Sequence, residues 1–577
     1  MHIKMKRINF IERAKLPFAL MVLLFFALIG ATRIKTPTND LCVTADEAWK
    51  IGWPSLTGPS GNKLPLRTNT PLVEDLAQAR IAWISEDTDL GSAKTGSTTF
   101  AGHDDIEARI GPYARVHPGN WAGVVVSAGR VYGSSFRPSG KVFTAPYRTN
   151  IGYDKSSKPE VPTCFRVEAE DLVICYDAIN GKVLWKTFEP GGLIRSGGKR
   201  GGFQVAPAVD GGRVLAVGST GRVFAYDALN GAKLWQSDVG GAFKIADQER
   251  IDGLSQAAAG KMVLPKGPSW FTSVVAADGI VVTGDFISQY VGDVGLRGYN
   301  AATGVLKWSL PNCISRYATP NLWRHQGKAW LLCATASGSM RLIDILNGHV
   351  AWKVDGLGQN WATLAPGEHS VMVNVIPTVP TKDQKRISGI WGCYRLSPEK
   401  AEKAWIMDNT SANGFSTWMD NGTHYSALIR DGLVLVTTSG RTKNEGNEVT
   451  AGRIVLLNEE TGAELVSVTN TPGKHGNLDC MKELILWLGE SAIVRENHSH
   501  GASHGGRHPM VCWTTTPGNL SPIMDENRAG SLDLVEFASA YEVLMYVPLV
   551  DGRIFERVDD GRLACYDLRR PLNPVAK

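Results

Sequence analysis

The chain has 577 residues, 43% hydrophobic and 20% charged, with 62 Gly and 29 Pro, an ordinary globular composition rich in turn formers. Seven Lys/Arg crowd into residues 1–35 against the single acid Glu12, so the formal excess of +5 does not belong to the rest of the chain. A nearly neutral body excludes nucleic acid as a partner, since that needs a concentrated basic face.

The N-terminus reads as a separate object. Five basic residues precede an uncharged apolar run, Leu16 to Ala31. A basic region followed by a run of this length predicts a signal peptide, or a membrane anchor if it is not cleaved, over 1–31. The run is a little short of the roughly 20 apolar residues of a comfortable span. Either reading puts the body outside the cytoplasm, in the periplasm or cell envelope, secreted or anchored, because positive charge stays inside. An extended arm is expected over 32–75, a repeat domain over 76–570 and a short tail over 571–577.

The repeat organises everything that follows. Cys175-Tyr-Asp177-Ala-Ile-Asn180-Gly181-Lys-Val-Leu-Trp185 returns as the run from Ala225 to Trp235, with Asp227 and Gly231 in the same places. It returns again from Gly298 to Trp308, around Gly304, and from Leu342 to Trp352, around Asp344 and Gly348. A weaker copy over Leu456–Val466 has Val466 in the Trp place; Tyr394–Trp405 is degenerate, and Ala564–Leu568 is a half-copy. Each unit reads as a hairpin: a strand, a turn at Asn-Gly or Thr-Gly where Gly supplies positive φ, and a second strand ending in Trp. A second hairpin, joined by Asp-Gly, precedes most copies, as at Asp278-Gly279, Asp431-Gly432 and Asp551-Gly552.

Two hairpins make a four-stranded sheet, and stacking such sheets radially gives an all-β, single β-propeller. The count gives eight blades, at about 121–188, 203–238, 270–310, 317–354, 361–408, 425–469, 480–525 and from Val535 to Asp567, with seven blades as the alternative. The eighth lacks its last strand, and Ala79–Ile84 near the N-terminus is expected to supply it, closing the ring and removing its open edges.

No Cys-x-x-Cys pair occurs among the nine Cys, so no disulfide framework is legible. Cys164, Cys175, Cys333, Cys393 and Cys565 sit in or beside apolar runs and read as buried thiols. One polar segment stands out: His498, His500, His504 and His508 fall within eleven residues. Neutral imidazoles at this density could hold a transition metal such as Zn²⁺, Cu²⁺ or Ni²⁺. The alternative is a glycine-rich surface loop.

The Ala-Tyr-Asp-x-x-Asn/Thr-Gly-x-x-x-Trp unit resembles the tryptophan-docking motif of the pyrroloquinoline-quinone (PQQ) dehydrogenase-like propeller superfamily. Trp53-Pro-Ser-Leu-Thr-Gly58-Pro59-Ser-Gly61 resembles the opening of many of its secreted bacterial members, and Asp560–Arg569 resembles their ending. The resemblance spans roughly 50–570 and is strongest in the first four blades. It implies one of two functions. Family enzymes hold PQQ between a Trp floor and a disulfide of adjacent cysteines, with Ca²⁺ on the quinone and an Asp as base; this sequence has no adjacent cysteines. Other members are noncatalytic, like the propeller lipoprotein of the outer-membrane assembly machinery. The resulting expectation is a noncatalytic binding or scaffolding module with a protein or glycan partner. It touches membrane only through an uncleaved leader and has no predicted cofactor. A PQQ-dependent oxidoreductase and a metal-dependent activity at the histidine segment are the alternatives.

Overall fold

The structure is a computed structural model. It describes residues 42–90, 123–144, 165–196, 205–238, 272–284, 293–315, 318–360, 363–375, 388–407, 415–416, 427–438, 441–442, 449–450, 453–469, 480–498, 510–522, 531–532, 547–557 and 561–571. The leader over 1–31 and Cys164 lie outside the described residues. Among the described residues no helix is long and apolar enough to cross a membrane.

The body is an eight-bladed β-propeller. Blade 1 runs Val125–Ser127, Arg130–Thr144, Phe165–Asp177 and Val183–Ser196 from inner to outer strand. Blades 2, 3 and 4 repeat this antiparallel order, with outer strands Lys233–Asp238, Leu306–Ser315 and Val350–Asp355. Blade 5 has Ser370–Val375, Ser388–Leu396 and Ala401–Ile406, and the short Phe415–Ser416 pairs with its middle strand beside Ala401–Ile406. Blade 6 runs from Leu428–Arg430 to Glu464–Thr469, and blade 7 from Cys480–Trp487 to Asn519–Pro522. Blade 8 takes Leu549–Val550, Arg553–Arg557 and Leu563–Asp567 from the C-terminal end and Arg80–Ile84 from the N-terminal end. The closing strand is where the sequence put it.

Both turns of the unit follow from local chemistry. At the Asp-Gly hairpins both residues have positive φ, 52° and 77° at Asp278-Gly279 and 54° and 74° at Asp431-Gly432. That is a type I′ turn, whose twist matches its flanking strands. In the second hairpin, Asp177 Oδ1 accepts from the amides of Ile179 (2.7 Å) and Asn180 (3.3 Å), and Asn180 Oδ1 accepts from Lys182 N (2.9 Å). Asn300 and Thr303 do the same work in blade 3. The acid or amide side chain therefore fixes the turn, which explains its recurrence.

The Trp that ends the unit joins one blade to the next. Trp185 Nε1 donates to Ala228 O (3.2 Å), Trp235 to Ala301 O (3.0 Å), Trp308 to Ile345 O (2.8 Å) and Trp352 to Ser397 O (2.8 Å). Trp83 of the closing strand donates to Ala178 O (3.2 Å), and Trp405 to Glu459 O (2.8 Å). The ring is thus stapled continuously from blade 8 through blade 1 to blade 6. Each staple demands a glycine in the receiving turn: a Cβ on Gly231 would stand 2.7 Å from Trp185, and one on Gly304 2.5 Å from Trp235. Gly181 faces Trp83 and Gly348 faces Trp308 in the same way. A β-bulge recurs one residue past the Trp partner, as between Ala225 and Tyr226, and sets each indole opposite a cross-strand residue such as Cys175, Ala225 or Gly298.

A second set of bonds joins the inner ends of blades 2 to 5. Ala206 N donates to Ser273 Oγ, Ser273 N to Thr319 Oγ1 and Thr319 N to Thr363 Oγ1, at 2.9–3.0 Å.

The arm contains a helix, Ala45–Ile51, closed by a capping box between Thr44 and Glu47. Beyond it the chain crosses the inner ends of the blades. Trp53 pairs with Val126 of blade 1, Pro54 O accepts from Val209 N of blade 2 (2.8 Å), and Gly61 O accepts from Asn321 Nδ2 of blade 4 (2.6 Å). Gly61 has φ +77°, and a Cβ there would stand 2.0 Å from Leu322 O, so only glycine fits this approach. Lys63 reaches blade 5, where its Nζ donates to Thr363 O (2.8 Å). Trp53, Leu56, Thr57, Asn62, Lys63 and Leu64 are all buried.

Two predictions test these joints. Trp308→Ala should cost about 3–5 kcal/mol, the usual range for a buried Trp, and Trp308→Phe, which loses the bond to Ile345 O, should fall between it and wild type. Denaturant midpoints check this; an unchanged midpoint for Trp308→Ala would remove the staple from the account. Burial holds the Lys63 pKa well below the usual 10.5. Between that depressed value and 10.5 the unfolded chain binds the proton and the folded chain does not. This group's contribution to stability therefore rises with pH through that window and is lost as pH falls. Relative to Lys63→Met, the wild type should gain stability as pH rises from neutral toward 10.5. A difference independent of pH over that range would show that the lysine does not titrate differently on folding.

Candidate functional site

The staples stop at blade 6. Its outer strand has the half-buried Val466 in the Trp place. The outer strands of blades 6 and 7, Glu464–Thr469 and Asn519–Pro522, carry no Trp in the docking place. In blade 7 the indole of Trp487 turns inward, donating to Gly489 O (2.6 Å) and Thr515 Oγ1 (3.1 Å) of its own sheet.

The arm crosses this sector. Arg67 forms an ion pair with Asp431 in the blade 6 hairpin turn. Asp551, in the corresponding turn of blade 8, accepts from Trp49 Nε1 (3.2 Å) and from Thr70 Oγ1. The arm then runs beside the chain's last strand, Val73 N donating to Leu568 O (2.7 Å) and Arg570 N to Pro71 O (2.9 Å), before it enters blade 8 as the closing strand.

Between arm and blades lies a half-open pocket of about 610 Å³, within the range of ligand sites. One wall is arm: Cys42, Pro65, Arg67, Thr68, Thr70 and Leu72. The other walls come from turns of blades 6, 7 and 8, including Asp431, Leu433, Gly489, Glu490, Thr516 and Asp551. Arg430 is buried, donates to Trp487 O (2.7 Å) and lies 3.8 Å from Asp431. Asp431 and Asp551 are already engaged with the arm, whereas the exposed Glu490 carboxylate makes no hydrogen bond among the described residues. The arrangement offers mixed apolar and charged contacts on rigid turns. It does not pair an acid with a base around a nucleophile.

The repeat residues Asp177, Asp227 and Asp344 lie in turns, and Trp185, Trp235, Trp308 and Trp352 lie between blades, away from this pocket. His498 is the last residue of its strand, paired in register with Cys480, while His500, His504 and His508 lie outside the described residues. Among the described residues no group of three His, Cys, Asp or Glu could hold a metal. Cys175, Cys393 and Cys565 are buried in separate blades, and burial pushes each thiol up to about 12, so they stay protonated. None of the pocket's residues stood out in the sequence. Arg67, Asp431, Glu490 and Asp551 are far apart in the chain, and only the turn glycines at 432 and 552 marked two of their positions.

Residues 162–355 match the family model described as outer membrane protein assembly factor BamB. No curated protein matches the sequence. Among solved structures, the chain is similar to BamB from Moraxella catarrhalis, 12% identical over 70% of this chain and 93% of that one, with a TM-score of 0.41. It is also similar to a quinohemoprotein alcohol dehydrogenase from Pseudomonas putida HK5, 11% identical over 92% and 82%, TM-score 0.44. A europium-containing methanol dehydrogenase is 10% identical over 86% and 94%, TM-score 0.43. The family-model match runs from the second half of blade 1 to the end of blade 4, where the docking Trp repeats most regularly, and marks that part of the chain as similar to the PQQ-like β-propeller repeats.

Proposed function

We propose that the protein is a noncatalytic binding or scaffolding propeller of the cell envelope, working outside the cytoplasm, and that it holds its partner at the pocket between the arm and blades 6–8. The observation that carries this reading is the pocket itself: a recess of ligand size, walled by turns of a stapled ring and bearing unlike charges at its rim. The matched family description names an outer membrane protein assembly factor, which supports a protein partner in the envelope.

PQQ catalysis is the competing reading. The family's quinone sandwich calls for a Trp floor and two adjacent cysteines, and no two cysteines are adjacent in this sequence. The six stapling indoles are held between blades, and the buried thiols stand in different sheets. No chemical step is therefore routed through PQQ. Calorimetric titration of the full-length protein with PQQ and Ca²⁺ should give no heat of binding. One-to-one binding at micromolar affinity would overturn the noncatalytic reading and call for dye-linked dehydrogenase assays.

A metal at His498, His500, His504 and His508 is a second proposal, favoured by one observation: the register sets Cys480, a thiol ligand type, opposite His498. Purified protein should then retain one equivalent of Zn²⁺, Cu²⁺ or Ni²⁺ by elemental analysis, lost in the double variant His498→Ala, His500→Ala. Folded protein that neither carries nor takes up these ions would end it.

A further inference from the structure

The pocket's lining selects among the partners such a module could take. We propose that it receives an extended peptide segment of a protein partner, apolar along its middle, with a carboxylate that meets Arg67 and a basic side chain that meets Glu490. This deepens the binding reading above and rests on it.

Arg67 is about a third exposed, and its hydrogen bonding among the described residues is to Asp431 alone. A guanidinium has five N–H donors, so most of this one is open to a further acceptor. Glu490 stands on the facing turn of blade 7, one residue from Gly489, where a Cβ would lie 3.7 Å from Arg67 Nη2. Both residues line the pocket, and among the described residues no ion pair joins them. Each can take a partner of opposite sign, and the pair fixes a direction for the ligand. The same lining carries the apolar side chains of Pro65, Leu72, Leu433, Leu488 and Leu549. Apolar ground framed by one acid and one base matches an extended peptide with side chains of both kinds.

A glycan fits less well. Sugar rings are held by exposed aromatic faces, and the one aromatic in the lining is Trp487. It is 1% exposed, and its N–H is already bonded inside blade 7. No stacking platform is offered. The hydroxyls that might serve a sugar are partly engaged as well: Thr515 Oγ1 donates to Gly489 O (2.8 Å) and Thr70 Oγ1 donates to Asp551.

The test selects random hexapeptides displayed on phage against immobilised full-length protein, then titrates the selected peptides by fluorescence anisotropy. The expected result is enrichment of peptides with one acidic and one basic residue around apolar ones. Their affinity should fall about tenfold or more for Glu490→Lys, be abolished by Thr68→Trp, which fills the pocket, and weaken with added salt. If Thr68→Trp does not fold, Glu490→Lys, a change to an exposed side chain, still decides. Peptides bound equally by both variants would dock elsewhere, leaving the binding module standing and this site refuted. Binding of arrayed oligosaccharides, blocked by Thr68→Trp, would keep the site and overturn the peptide. Neither class binding at all would overturn the site.

Discussion

Everything in this ring depends on an indole N–H reaching a carbonyl in the next blade. A four-stranded sheet has two faces and can bury them only against its neighbours, so a propeller is stable only if every neighbour is held at the right spacing. The staple does this with one side chain. Its Nε1 finds the carbonyl three residues before the turn glycine, as Ala228 precedes Gly231 and Ile345 precedes Gly348, and its ring covers that glycine. Burial of an aromatic of this size removes on the order of 150–250 Å² from water, and satisfying its polar end avoids the cost of an orphaned donor. One contact therefore explains why a run of residues must recur together: the Asp or Asn that bends the turn, the Asn or Thr that closes it, the Gly that yields space and the Trp that uses it.

The same contact explains where the molecule is irregular. Val466 cannot donate, so blade 6 reaches blade 7 through apolar packing with Trp487, Trp513 and Leu520 and through the bond from Arg430 to Trp487 O. Blade 7 gives its own indole to an internal bond. The arm supplies what is missing. It holds blade 6 through Asp431, and it holds blade 8 through Asp551 and through the strand pairing at Leu568. A gap in a repeat that is bridged by a chain segment, instead of being filled by a neighbouring sheet, leaves a recess. The pocket is the geometric remainder of a lost staple.

Legibility in the sequence followed the range of the interactions. The hairpins at Asp278-Gly279 and Asn180-Gly181 were readable because each turn is fixed by residues within four positions of one another. The closing strand Arg80–Ile84 was readable because the final half-copy, ending at Asp567, lacked a partner and Trp83 offered the missing indole. Seven residues of helix, Ala45–Ile51, are too few for an apolar period to show, although Thr44-Ala-Asp-Glu47 carries the capping signature and could have marked the start. The path of the arm was not readable. The need for glycine at 61 arises from Leu322 O, and the burial of Lys63 arises from blade 5, contacts that span some 260 and 300 positions of chain. The pocket was hidden for the same reason, since its charges come from four separate segments and belong to no motif.

This origin also constrains what a ligand there can do. Arg67 is at once a wall of the pocket and one end of the only described ion pair that ties the arm to blade 6. Asp551 bonds both Trp49, ahead of the arm's crossing, and Thr70, near its end. Groups that share a partner do not contribute independently to stability. A ligand carboxylate that draws on Arg67 acts on a guanidinium already committed to Asp431. It therefore either adds to that pair, and tightens the sector the staples leave open, or competes with it, and loosens the arm. Arg67 has donors left over after Asp431, and Arg430 stands behind the same carboxylate at 3.8 Å, so the local balance of charge favours addition. A ligand bound there would then add to the joint between blades 6 and 8 that the arm already makes through Asp431 and Asp551.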